Sequence, residues 1–359
     1  NNIRANSTYN SPLINLLLSG NAANNGGTTR FRALNTTALT QGSVAALALA
    51  TSQKVCVAAD VTAGICTNAQ LNQRLLDVNG FGTLLQPYSQ FTGGLNVFDS
   101  NDHSMYHAME LILRRRVNAG LMFQVAYTLS KSLDSRSWDP SLSTISTGSV
   151  QSASSTPFNN ANRNLNYTWS DFDRRHVFQG TYVYELPFGQ GRTFGSGMPK
   201  SLDLIVGGWQ LSGTMLLTSG RPFTVYSGLT TFSNVVNSTA DCNGCTRDTG
   251  KLVVESGRNF WFDATARAKF ASPTPGSIGN TGRNFFLEPH YFQTDASLSK
   301  KFRITERMNF DLRVDARNLS NTPSFAAPTA VLTSTIFGRI NDSVNNAARR
   351  IQFSGKINF

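Results

Sequence analysis

Few residues in this chain have the types and spacing that chemistry requires. Cys242-Asn243-Gly244-Cys245 is a CxxC pair, the spacing used by redox centres and by half of a zinc site. No second CxxC, no suitably spaced His pair and no strand–helix–strand context accompany it, so a local loop disulfide is expected. Cys56 and Cys66 are expected to pair likewise, closing a short loop in an oxidising compartment. His103 and His107 would share a face on a helix and could then hold a metal. At a strand entry, four residues span about 13 Å, and solvated side chains are expected instead. Asp171 and Asp173, beside Arg174 and Arg175, mark a loop-to-strand junction where an ion-pair cluster is expected in preference to calcium binding. No Ser/His/Asp arrangement stands out for nucleophilic catalysis. The expectation is a protein that is not an enzyme and carries no cofactor or metal.

The charge balance points away from the usual basic-protein functions. The chain has 359 residues with 32 Lys+Arg against 21 Asp+Glu, a net charge of +11, yet only 15% of its residues are charged. A typical soluble domain has about 25%. Nucleic-acid binding is not expected, because the basic residues are scattered, with no dense cluster beyond Arg114–Arg116. That triplet lies beside a predicted turn, where anionic lipid head groups are plausible neighbours. No apolar run approaches the ~18 residues of a membrane helix. The 24 Phe and four Trp still need somewhere to be buried or dissolved, which argues against disorder.

The elements that must hold these residues repeat with a period of two, the strand signal. At the C-terminus Ile351, Phe353, Gly355, Ile357 and Phe359 share one face, and Arg350, Gln352, Ser354, Lys356 and Asn358 share the other. Met308, Phe310, Leu312, Val314 and Ala316 alternate with Asn309, Asp311, Arg313, Asp315 and Arg317. Similar series run through 292–302, 209–218, 177–186, 121–130 and 106–116. These strands are longer than the five or six residues usual in soluble proteins and match the roughly 9–11 residues that cross a hydrocarbon core. The links between them alternate shorter and long. In an up-and-down meander the long ones, 134–173, 220–290 and 318–348, fall at one end, as in outer-membrane barrels. A soluble β-sandwich would also alternate, but gives no reason for long strands or one-sided long loops.

The expected fold is therefore all-β: a transmembrane antiparallel up-and-down barrel with long extracellular loops. Residues 1–104 read as an extracellular loop region with partial strands, and 105–359 as barrel strands. Bacterial barrels have an even strand number of about eight or more, and seven alternating series are visible here. An open sheet in lipid leaves edge groups unpaired at several kcal/mol each. The chain is therefore expected to be the C-terminal part of a larger barrel, and its start at Asn1 without a visible signal peptide leads to the expectation of a mature form or an internal fragment.

Several segments then resemble one family. Ala126-Tyr127-Thr128-Leu129-Ser130-Lys131-Ser132-Leu133-Asp134, Ser170-Asp171-Phe172-Asp173-Arg174-Arg175-His176-Val177-Phe178, Tyr182-Val183-Tyr184-Glu185-Leu186-Pro187-Phe188-Gly189, Gly207-Gly208-Trp209-Gln210-Leu211-Ser212-Gly213, Ser219-Gly220-Arg221-Pro222-Phe223, Ala316-Arg317-Asn318-Leu319-Ser320-Asn321-Thr322-Pro323 and Phe337-Gly338-Arg339-Ile340 are similar to the barrel of TonB-dependent receptor-like outer-membrane proteins, Oar-like subgroup. The resemblance covers about residues 85–359 and does not extend to a plug or a TonB-box segment. It implies a receptor and transporter in the outer membrane of a Gram-negative cell, with TonB coupling only through an N-terminal part. A passive porin or surface adhesin on the same barrel, and a soluble β-rich binding module, remain alternatives. Asp311, Arg313, Asp315, Arg317, Arg350 and Lys356 are expected to face the lumen. Ile351, Phe353, Ile357 and Phe359 resemble the terminal signal read by the outer-membrane assembly machinery. Outer-membrane lipids complete the expected partners.

Overall fold

The computed structural model describes residues 101–118, 120–137, 158–159, 162–229, 231–232, 237–340 and 346–359, and parts of 3–71. Seven long strands form one sheet: β1 (Ser104–Asn118), β2 (Leu121–Asp134), β3 (His176–Glu185), β4 (Trp209–Thr218), β5 (Tyr291–Arg303), β6 (Asn309–Arg317) and β7 (Arg350–Asn358). They pair in chain order, each antiparallel to the next, and the two-residue strand Thr168–Trp169 adds to the end of β2. Among the described residues β1 and β7 each have one strand neighbour, so the sheet has two open edges.

Period-two sequence becomes two chemically distinct faces because the register keeps like with like. One row crosses six strands as Leu121, Tyr184, Leu211, Leu298, Val314 and Phe353. One residue along each strand, Met122, Val183, Ser212, Ser297, Asp315 and Gln352 form the corresponding row on the opposite face. A slip of one residue would exchange the two faces. Close approach also uses glycine: a Cβ at Gly213 would lie 2.7 Å from the Tyr182 hydroxyl, so the ring covers that position in its place.

The links at one end are the tight turn at Gly120, whose φ of +77° is in the left-handed region, and segments 186–208 and 304–308. At the other end lie 135–175, 219–290 and 318–349. This second set is not merely connecting chain. Phe223, Val225, Ala240, Cys242, Phe262, Phe270, Phe286 and Phe337 pack into one buried core drawn from 219–290 and 318–349. Phe262 alone lies within 6.1 Å, ring centre to ring centre, of Phe223, Phe270, Phe286 and Phe337. Short ladders at 222–223 with 286–287, 241–242 with 270–271, and 253–255 with 258–260 frame it. None of the buried hydrophobic residues among those described belongs to β1–β7.

The N-terminal region has no strand among its described residues before Ser104. Its described residues form turns and short helices, Pro12–Ser19, Gly27–Leu34, Thr36–Gln41 and Ala58–Thr62. Ile14 packs on Phe31, and the Thr28 hydroxyl donates to Asn15 Oδ1 at 2.8 Å. These contacts join the helix Pro12–Ser19 to the helix Gly27–Leu34. No helix among the described residues is long and apolar enough to cross a membrane.

Candidate functional site

Two features have the geometry to act: a polar groove along the sheet, and the junction that holds the loop domain to it. The groove encloses about 740 Å³ and runs from Arg114 on β1 to Gln352 on β7, so the polar face is the concave one. Thr181, Ser212, Thr214, Asp295 and Ser297 line its middle.

Asp311, Arg313, Asp315, Arg317, Arg350 and Lys356 share this face by register. Asp311 pairs across β6–β7 with Lys356, and its carboxylate lies 3.9 Å from the ammonium of Lys301 on β5. Arg313 donates through Nε to Asp315 Oδ1 at 2.8 Å. Arg317 and Arg350 stand directly opposite each other, a like-charge pair that a sheet tolerates only where solvent screens it. These side chains can orient and attract ions; none is arranged as a nucleophile with its base.

The junction joins segments remote in sequence. Arg283 from the 219–290 segment pairs with Asp134 at the end of β2, and both side chains are almost fully buried. Asp134 also accepts from the Ser137 hydroxyl at 2.7 Å. Arg283 donates a further bond to the Trp169 carbonyl at 3.1 Å, and Asn284 donates to that carbonyl and to Asp171 Oδ1, each at 2.7 Å. The Trp169 ring is approached by three cations: Arg247 at 4.4 Å, Lys131 at 5.1 Å and Arg175 at 5.8 Å. Asp173 accepts the Ser132 backbone N–H at 2.6 Å. Burial raises the Asp173 pKa above its ordinary value, although Ser132, Arg247, Arg175 and Lys131 all favour its charged form.

The acidic pair therefore divides its work. Asp171 receives the loop domain and Asp173 fixes the β2–β3 rim, while Arg174 donates to Thr218 Oγ1 at 2.6 Å and to the Ser219 carbonyl at 3.0 Å. His103 stacks on Tyr167 at 4.6 Å, whereas His107 sits within β1 opposite Lys131. No group of three or more His, Cys, Asp or Glu able to hold a metal occurs among the described residues. Cys242 and Cys245 are joined by a disulfide at the edge of the aromatic core. Cys66 is also disulfide-bonded, and its expected partner Cys56 lies outside the described residues.

A family model for an outer membrane beta barrel domain matches residues 57–352. The chain belongs to that family. No curated relative matches it. The sheet has the two faces that outer-membrane barrels use, one apolar and one polar. The match begins at residue 57, well inside the region read above as extracellular loop.

Sequence reasoning did not find Arg283, Asn284 or Arg247. Their signal is weak, since each lies among other polar residues in aperiodic chain. Asp134 carried more, because it ends the recognisable segment Ala126–Asp134, whereas Trp169 lies just before the segment that starts at Ser170.

Proposed function

We propose that this chain is the barrel of an outer-membrane receptor that takes up a substrate by binding and conformational gating, without covalent chemistry, and that TonB energises it in the complete protein. The observation that carries the reading is a polar groove crossing all seven strands beneath a folded domain made from the long links of one end. Water-filled passive pores need open loops; a packed loop domain suits selective capture. On this reading the loop domain is extracellular, and Asp311, Arg313, Asp315, Arg317, Arg350 and Lys356 line the lumen. The apolar residues meet outer-membrane lipid.

The C-terminal strand supports a role in assembly. Ile351, Phe353 and Ile357 lie in the apolar register, more than half exposed, and Phe359 is 97% exposed. An edge strand with apolar side chains at every second position is suited to strand addition by the assembly machinery.

Uptake of a panel of labelled nutrients, compared between cells with and without the protein, tests the transport reading. Protein-dependent uptake that collapses on adding a protonophore is expected. Protein-dependent uptake indifferent to the protonophore would make the barrel a passive porin, and surface binding with no uptake would make it an adhesin.

A further inference from the structure

The 186–208 link, at the end opposite the loop domain, carries side chains that neither the groove nor the junction uses. It contains the helix Lys200–Val206, on which Leu202, Leu204 and Ile205 are 47, 57 and 68% exposed. Phe188 and Phe194 pack together at 5.8 Å, and both remain exposed. Such a cluster at the end of a water-facing turn would be unfavourable, because it leaves contiguous apolar surface in water.

The fold shows which side of the sheet the helix occupies. Trp209 Nε1 donates to the Ile205 carbonyl at 2.8 Å, and Lys300 Nζ donates to the Leu204 carbonyl at 2.5 Å. Trp209 and Lys300 are register partners in the same face as Leu211 and Leu298, the apolar one. The C-terminal carbonyls of the helix are therefore held from the outside of the sheet, away from the groove. Lys300 is the one cation placed in that row. The whole residue is buried, its ammonium lies 5.7 Å from the Trp209 ring and 5.0 Å from the Phe302 ring, and the helix carbonyls satisfy a charge that the apolar row would otherwise leave unpartnered.

We infer that the 186–208 link is a membrane anchor: the helix Lys200–Val206 lies in the phospholipid interface of the leaflet at its end of the barrel, with Leu204 and Ile205 immersed. The occupant is lipid because the helix continues the apolar face that an outer-membrane barrel turns to the bilayer. Exposed Lys200, Arg303 and Arg307 at the same end, against Glu306, complement anionic head groups. Trp209 sits where interfacial indoles reside, its N–H satisfied by the helix. The inference is independent of whether the barrel transports anything.

The full chain is reconstituted in vesicles of phosphatidylethanolamine and phosphatidylglycerol, with a nitroxide attached at Ile205→Cys and, separately, at Leu204→Cys. Leu113→Cys on the apolar face serves as the lipid reference, and Lys251→Cys in the loop domain as the aqueous one. Both helix sites should collide more often with oxygen than with a water-soluble nickel chelate, as Leu113→Cys does and Lys251→Cys does not. Helix sites that follow Lys251→Cys would place the turn in water and overturn the inference. Helix sites shielded from both reagents would place it under protein, which overturns the inference equally.

Discussion

Arg283 and Asp134 meet although 149 residues separate them, and both are shut away from solvent. Their pairing is the point at which the loop domain grips the rim of the sheet. Arg283→Met leaves the Asp134 carboxylate buried without its counter-charge, a change that costs about 3–5 kcal/mol in such pairs. Protease should then cut within 219–290, while the barrel keeps its heat-dependent gel mobility. Arg283→Met protein as protease-resistant as wild type would remove the latch role.

The same residue type should behave differently in the two apolar environments. Phe262 is fully buried among four other rings, so Phe262→Ala should destabilise the loop domain by about 3–5 kcal/mol. Phe353 is 73% exposed on the outer face, and Phe353→Ala should leave the loop domain unchanged. Near-ultraviolet circular dichroism through a urea titration separates the two outcomes.

Facing is testable with one substitution type. Leu312 lies in the apolar register opposite Gly355, and Arg there should cost about 2–4 kcal/mol near the midplane. Ser354, on the polar face opposite Arg313, should accept Arg at a much smaller cost. Equal losses in folding equilibria measured in lipid vesicles would contradict the assignment of faces.

Acidity should tighten the junction. The Asp173 carboxyl is raised above its ordinary value of 3.8 in the folded protein, chiefly by burial. Glu288, beside the rim, is raised above 4.5 for the same reason, against the pull of Arg221. A group whose folded pKa is the higher one binds its proton more tightly when folded. Its stabilising contribution is complete below the unfolded value and is lost as pH rises through the folded one. Loop-domain stability should therefore fall as pH climbs from about 4 through the range just above it, and Asp173→Asn should flatten that slope. Urea midpoints of both proteins across that range give the comparison.

The strands were legible and the loop domain was not, for one physical reason. A strand with lipid on one side and water on the other must alternate, and the register rows through Leu211 or Ser212 are written directly in the order of residues. Phe223, Phe262, Phe270, Phe286 and Phe337 obey no period. They converge through ladders two or three residues long, and only tertiary contact reveals that they form a core. The junction was half visible. The segments ending at Asp134 and starting at Ser170 were each recognisable, but nothing local to Arg283 indicates that it completes them. The helix Lys200–Val206 escaped a search for alternation because three of its four apolar residues, Leu204, Ile205 and Val206, are consecutive.

That the buried hydrophobic residues described lie outside the seven long strands gives the molecule two different responses to temperature. The aromatic core is shielded from water, and exposing it carries a large positive heat-capacity change, so its stability curves and weakens on cooling. The outer face of the strands has hydrocarbon as its solvent and lacks that term. Chilling should therefore soften the cap long before it disturbs the wall beneath, and a cell living in the cold would have to compensate in the links and could leave the strands alone.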